Sequence, residues 1–238
     1  MNRRFDGRLP DELRPLSFEL GVNVHAEGSC IVTMGRTRVW CTASVNEDVP
    51  RWLRDSGKGW VTAEYRMLPR ATNTRSEREG RNDKKGRTAE IERLIARALR
   101  ASVDLAALGP RQITIDCDVL QADGGTRCAS VNGGYVALVL ALRGLVAAGK
   151  LRALPLRHSV AAISVGLVDG QVVADLPYEE DSTAQVDANL VMTGTGLLVE
   201  VQGTAEGEPF PESELHAMLT VGRAAIADIT AAQLAALG

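Results

Sequence analysis

Between Val119 and Arg127 a β-branched run closes at Leu120, a turn carries Gly124 and Gly125, and Thr126-Arg127 open a long helix of small residues. The start of a helix leaves its first N–H groups without backbone partners, and a guanidinium beside them completes a seat for an anion. The chain has neither a G-x-x-x-x-G-K-[ST] loop nor a G-x-G-x-x-G fingerprint. A small phosphate therefore suits this stretch better than a nucleoside triphosphate.

The second stretch with chemical content runs from Tyr178 to Asp187 and holds Glu179, Glu180, Asp181 and Asp187. A strand over 184–192 puts Val186, Ala188, Leu190 and Met192 on one face and Gln185, Asp187 and Asn189 on the other. Asp181, in the turn before it, and Asp187 could then share one divalent cation, and hard oxygens with open positions suit Mg²⁺ or Mn²⁺. Taken alone, the same residues also read as an acidic turn and a surface aspartate. No protein nucleophile stands out: there is no G-x-S-x-G and no Cys–His pair, and His25, His158 and His216 lie outside the polar segments. Phosphoryl transfer needs none, because positioning and charge neutralisation do most of the work. Inorganic phosphate in the glycine turn would itself be the nucleophile, oriented by Arg87 and Arg127.

Charge supplies a third feature. The net charge is −3, but residues 51–87 hold eleven Lys/Arg against five Asp/Glu, so this window carries +6 and the remainder −9. A basic island in an acidic chain suits a polyanion; it equally fits a solvated loop whose arginines meet only water.

The elements that must position these residues follow from periodicity. Alternation places strands at 18–24, 29–34, 37–44, 60–65, 113–120, 160–168, 172–176, 184–192 and 197–203, with turns at Gly35-Arg36 and Asp169-Gly170. Gly86-Arg87-Thr88 ends a loop, and Ile91, Leu94, Ile95, Ala98, Leu99 and Val103 make one face of a helix running to about residue 107, with Arg87 in its first turn. Residues 126–148 form a helix apolar nearly all round, hence buried, and a last helix begins near Pro211 as its first residue. Residues 68–85 are almost free of apolar side chains and read as a long mobile surface loop. The order of elements is a mixed α/β sheet packed with helices, not a strict βαβ alternation.

With 238 residues, 45% hydrophobic and 24% charged, the chain suits one globular domain over 1–238. Apolar runs such as 136–142 are too short to span a bilayer, and the N-terminus lacks a signal-like apolar core. A cytoplasmic protein without a membrane is expected. Cys30, Cys41, Cys117 and Cys128 have no zinc-ligand spacing and read as free buried thiols.

The chain resembles the bacterial ribonuclease PH family along its length. The matching segments are Arg3-Arg4-Phe5-Asp6-Gly7-Arg8, Asp11-Glu12-Leu13-Arg14-Pro15, Gly57 through Tyr65, Met67 through Thr72, Gly86-Arg87-Thr88, Gln121 through Arg127, Tyr178 through Ser182, and Met192-Thr193-Gly194. The resemblance implies a ribosomal protein S5 domain 2-like fold, a single RNase PH domain. It also implies a phosphate-dependent 3′→5′ exoribonuclease, a tRNA nucleotidyltransferase that trims tRNA precursors and other RNA 3′ ends, rRNA among them, and releases nucleoside diphosphates. Arg87, Gly125, Thr126 and Arg127 would bind phosphate. Asp181 and Asp187 would be catalytic and hold Mg²⁺ or Mn²⁺, and Arg70, Arg75 and Arg78 would hold tRNA. A homohexamer, a trimer of dimers, is implied. Gln185 stands where the resemblance suggests Glu, removing a negative charge near the metal. Two other readings remain at this point: a non-catalytic RNA-binding ring subunit of an exosome-like assembly, and a hydrolytic metal-dependent nuclease. A small-molecule kinase of the same fold is disfavoured by the lack of an ATP loop.

Overall fold

The computed structural model describes residues 3–80 and 86–238. Of the basic island, Arg81, Lys84 and Lys85 lie outside the described residues. The elements run β1 (Leu16–Leu20), β2 (Gly28–Met34), β3 (Thr37–Asn46), a 3₁₀ turn (Arg51–Ser56), β4 (Trp60–Met67), α1 (Gly86–Ser102), α2 (Leu105–Leu108), β5 (Gln112–Gln121) and α3 (Thr126–Ala147). Then come β6 (Val160–Val168), β7 (Gln171–Ala174), α4 (Tyr178–Asp181), β8 (Val186–Thr193), β9 (Leu198–Ala205) and α5 (Glu212–Leu237).

Two sheets result, one ordered β1-β2-β3-β5-β4 and the other β7-β6-β8-β9. Among the described residues only β4 and β5 run parallel; the other pairs are antiparallel. Period-two patterning fixes the register. Ile113, Ile115, Cys117 and Val119 of β5 are all buried, beside the equally buried Val39, Cys41 and Ala43 of β3. The Asp169-Gly170 turn closes the β6–β7 hairpin with both residues at positive φ, as a primed turn requires. Helix α3 packs on β2 and β3 of one sheet and on β6 of the other, and one buried apolar cluster runs through both.

Several boundaries differ from the sequence reading. The helix expected to continue to about 107 stops at Ser102. Val103 pairs with Leu156 instead, and Asp104 caps a new turn by accepting from the N–H groups of Ala106 and Ala107. Pro211 is the N-cap of α5 rather than its first residue. Residues 68–76 are not a free loop: Leu68 N donates to Val119 O, Ala122 N to Ala71 O and Ser76 N to Pro69 O, so the segment is laced to the end of β5. Helix α3, unlike the short apolar runs taken as decisive, is by length and mean hydropathy long enough to cross a membrane, but most of it is buried between the sheets.

The contact between α3 and β2 leaves no room. A Cβ on Gly28 would stand 2.1 Å from Ala137 O and 2.7 Å from Ala141 N, and backbone cannot step aside. Gly28→Ala should cost about 3 kcal/mol, read as a lower midpoint in urea unfolding with an unchanged slope; a midpoint equal to the wild type would mean that the helix and strand are not so tightly apposed.

Candidate active site

One cavity of about 770 Å³ gathers residues from both sheets. Its floor is the glycine turn between β5 and α3. Gly124 and Gly125 both lie in the left-handed region (φ 72° and 66°), which carries the chain sharply from strand into helix. Gly125 occupies the N-cap of α3 and no side chain among the described residues caps the helix, so its first N–H groups are left for an anion, with the helix dipole behind them. Gly124 is also a matter of space. A Cβ there would meet Leu176 O at 2.4 Å and Tyr178 N at 2.9 Å, so the turn lies directly against the segment that leads to Asp181.

Side chains complete the seat. Thr126 is hydrogen-bonded to the buried Tyr65 hydroxyl at 2.9 Å. Arg127 donates to Gln202 Oε1 of β9 at 3.0 Å and sits 3.5 Å from Glu90 of α1. Arg87, in the first turn of α1, lines the same cavity. Three elements thus bring two guanidiniums to one helix N-terminus.

Asp181 ends α4 and Asp187 follows at the start of β8, both lining the cavity. Burial raises the Asp181 carboxyl above its ordinary value against the pull of Arg87 and Arg127. Burial, and then the neighbouring charge of Asp181, push Asp187 up to about 6. Asp187 Oδ1 is buried and has no hydrogen-bond partner among the described residues. Two half-buried carboxylates whose charges repel, one with an oxygen left without a hydrogen bond, fit a divalent cation that keeps open positions for phosphate oxygens. No cluster of three or more His, Cys, Asp or Glu side chains with metal-holding geometry occurs among the described residues, so a fully protein-caged metal is not what this site offers.

Of the basic-loop residues, Arg70 reaches the cavity rim together with Asn73 and Thr74, whereas Arg75 and Arg78 are exposed outside its lining. Gln185 is a correction. Its Oε1 accepts from Gly170 N at 2.9 Å, and the residue lines a separate 310 Å³ cavity with Phe210 and Pro211. It precedes β8 and faces the β6–β7 turn, so a charge there would not lie beside the two aspartates. The third acidic neighbour that both aspartates feel is Glu206. Sequence reading also passed over Tyr65, Gln202 and Ser164, the last lining the same cavity from β6; no local pattern marks them, because strands from distant parts of the chain bring them in.

Two family models match, that of the 3′ exoribonuclease family, domain 1, over residues 12–143 and that of domain 2 over residues 158–225. The chain belongs to the ribonuclease PH family of 3′ exoribonucleases. The ribonuclease PH of Mycobacterium avium (strain 104) is 57% identical over 239 residues, which is 100% of this chain and 92% of that protein. That of Maricaulis maris (strain MCS10) is 56% identical over 232 residues, covering 97% and 98% of the two chains. Solved structures share the fold at lower identity. Rice (Oryza sativa) Rrp46 superposes with a TM-score of 0.79 at 22% identity, over 99% of this chain and 100% of its own. A chain of the Archaeoglobus fulgidus exosome with RNA bound to the active site does so with a TM-score of 0.79 at 22% identity, over 96% and 92%. The mixed α/β architecture is thus the fold of this family.

Proposed function

We propose that this 3′ exoribonuclease works by phosphorolysis, trimming the 3′ ends of tRNA precursors and releasing nucleoside diphosphates. The observation that carries the reading is the uncapped N-terminus of α3 at Gly125, flanked by Arg127 and Arg87 and facing Asp181 and Asp187 across one cavity. Hydrogen phosphate bound there offers an oxygen to the phosphorus of the terminal phosphodiester. The new P–O bond forms as the bond to the preceding nucleotide's O3′ breaks. The proton that hydrogen phosphate carried ends on that O3′, leaving a shortened RNA with a free 3′-hydroxyl and a nucleoside diphosphate.

In this reading Gly125, Thr126, Arg127 and Arg87 bind the phosphate, holding two anions together against their repulsion. Asp181 and Asp187 would hold Mg²⁺ or Mn²⁺, which when bound supplies charge neutralisation at the scissile phosphate. Tyr65 orients the Thr126 hydroxyl. The shared apolar core supports taking the two sheets as one folding unit, and the reading takes the protein as a homohexamer, a trimer of dimers, as the family resemblance implies. The reading also takes the protein as cytoplasmic.

The test uses 3′-extended tRNA with Mg²⁺, with and without phosphate, and separates the products. Nucleoside diphosphates that appear only with phosphate are expected; monophosphates formed without it would establish hydrolysis, and no product at all would establish a non-catalytic subunit.

Arg70, Arg75 and Arg78 serve as a grip on the tRNA body. Replacing all three with Ala should weaken tRNA binding and reduce the slope of log affinity against log salt by about 2–3, while cleavage of a short oligonucleotide stays near wild type. A salt slope equal to the wild type's would remove the loop from the RNA interface.

A further inference from the structure

The N-terminal segment carries arginines that the phosphorolytic reading leaves without a task. Arg14 is buried just under the cavity but does not line it. Its Nε donates to Asp175 Oδ2 at 3.0 Å and its Nη2 to Asp175 Oδ1 at 2.6 Å, a two-point fork, while its own backbone N–H donates to Oδ2 at 2.8 Å. Its Nη1 donates to the backbone oxygen of Asp123, in the glycine turn. The guanidinium runs beneath that turn, since a Cβ on Gly125 would stand 3.2 Å from Arg14 Nη2.

Asp175 is equally committed. It is fully buried and left-handed at φ 55°, an uncommon conformation for a residue with a side chain. Burial works to raise its carboxyl, yet Arg14 holds it below the ordinary carboxylate value. Its backbone oxygen accepts from Arg4 at 3.1 Å and Arg8 at 3.2 Å, and Arg4 also pairs with Glu180, the residue next to Asp181. The first sheet supplies the phosphate turn, and the second supplies the segment that ends in Asp181. Two side chains bond to both: the buried Arg14, through its fork on Asp175, and the more exposed Arg36, which donates to Asp123 Oδ2 at 2.9 Å and to Glu179 Oε1 at 3.1 Å.

Stability alone does not account for such a link, because a buried ion pair often adds nothing over well-packed apolar residues. A fork with fixed geometry does set a separation. We propose that Arg14 is a positioning residue: by gripping Asp175 and the turn at Asp123 together, it sets the distance between the phosphate seat and the Asp181 carboxylate. The inference rests on the phosphorolytic reading above.

The experiment measures kcat and the KM values for phosphate and for tRNA separately in Arg14→Met, Arg14→Lys and Asp175→Asn, with circular dichroism and thermal melting to establish folding. Arg14→Met should raise the phosphate KM about tenfold and lower kcat about tenfold or more, since a small misplacement of reacting groups is costly. The tRNA KM should stay within about twofold, because the basic-loop grip is untouched. Arg14→Lys keeps the charge without the fork and should recover part of the loss. Asp175→Asn keeps the shape and tolerates the left-handed backbone, and it should show the same split more mildly. Folded variants with wild-type kinetics, or equal losses in both KM values, would overturn the inference. If Arg14→Met does not fold, the other two decide; if none folds, Arg14 is structural and the inference falls. Wild-type enzyme that releases no diphosphate in the same assay would instead sink the phosphorolytic reading itself.

Discussion

Asp187→Asn should stop turnover, by roughly a thousandfold or more, while tRNA binding in the absence of metal stays close to wild type. The same substitution should make the metal-free protein more stable at neutral pH. Both effects come from one cause. Burial and the Asp181 charge push the Asp187 carboxyl up to about 6 in the folded protein, against an ordinary value of 3.8. A carboxyl raised on folding favours the native state while it is protonated. That contribution is complete below pH 3.8 and is lost as the pH climbs through 6. Asn never ionises and loses nothing. The gap in melting temperature, variant above wild type, should therefore open between about pH 4 and 6 and stay constant above, measured in chelator so that no cation is bound. A variant less stable than wild type at pH 7.5 would mean that the charged carboxylate is well partnered, contrary to the orphaned Oδ1. Near-wild-type turnover would remove Asp187 from the chemistry.

What could be read from the sequence was local. Alternation in β5 named Ile113, Ile115, Cys117 and Val119 as core, and all four are buried, because burial on one face of a strand writes itself at period two. The anion turn was legible because Gly124 and Gly125 supply a conformation that other residues disfavour, next to a helix start. The failures involve partners distant in sequence. Helix α1 ends where it does because Val103 meets Leu156, a contact its own periodicity cannot express. Gln185 lies one residue before β8, where the side-chain direction is not yet set by the pleat, and it turned toward Gly170. Asn189, expected on the polar face of β8 beside Asp187, is buried. Arg14 and Asp175 are 161 residues apart; nothing near either announces the other. The arrangement of the site is therefore less legible than its parts, since those parts come from both sheets.

Arg127→Ala should raise the phosphate KM by roughly a hundredfold, the size expected for a lost hydrogen bond to a fully charged partner of about 3 kcal/mol. The guanidinium is already aimed: Gln202 accepts from it at 3.0 Å, and Gln202 in turn donates to Glu90 at 3.0 Å. Little side-chain freedom is left to lose when the anion arrives, so most of the interaction goes into binding. Arg127→Lys retains a point charge but not the planar fork, and should recover only part of the affinity. The reverse reaction adds a second constraint. If Gly125–Arg127 seats the attacking phosphate, the same amides must seat the terminal phosphate of a nucleoside diphosphate when the enzyme extends RNA. The KM for the diphosphate should then rise in step with that for phosphate, while the tRNA KM stays within about twofold of wild type. Initial rates in both directions decide it. A diphosphate KM unaffected by Arg127→Ala, beside a raised phosphate KM, would mean that phosphate enters by a seat other than the one its product leaves, and a single reversible in-line displacement at this turn would be untenable.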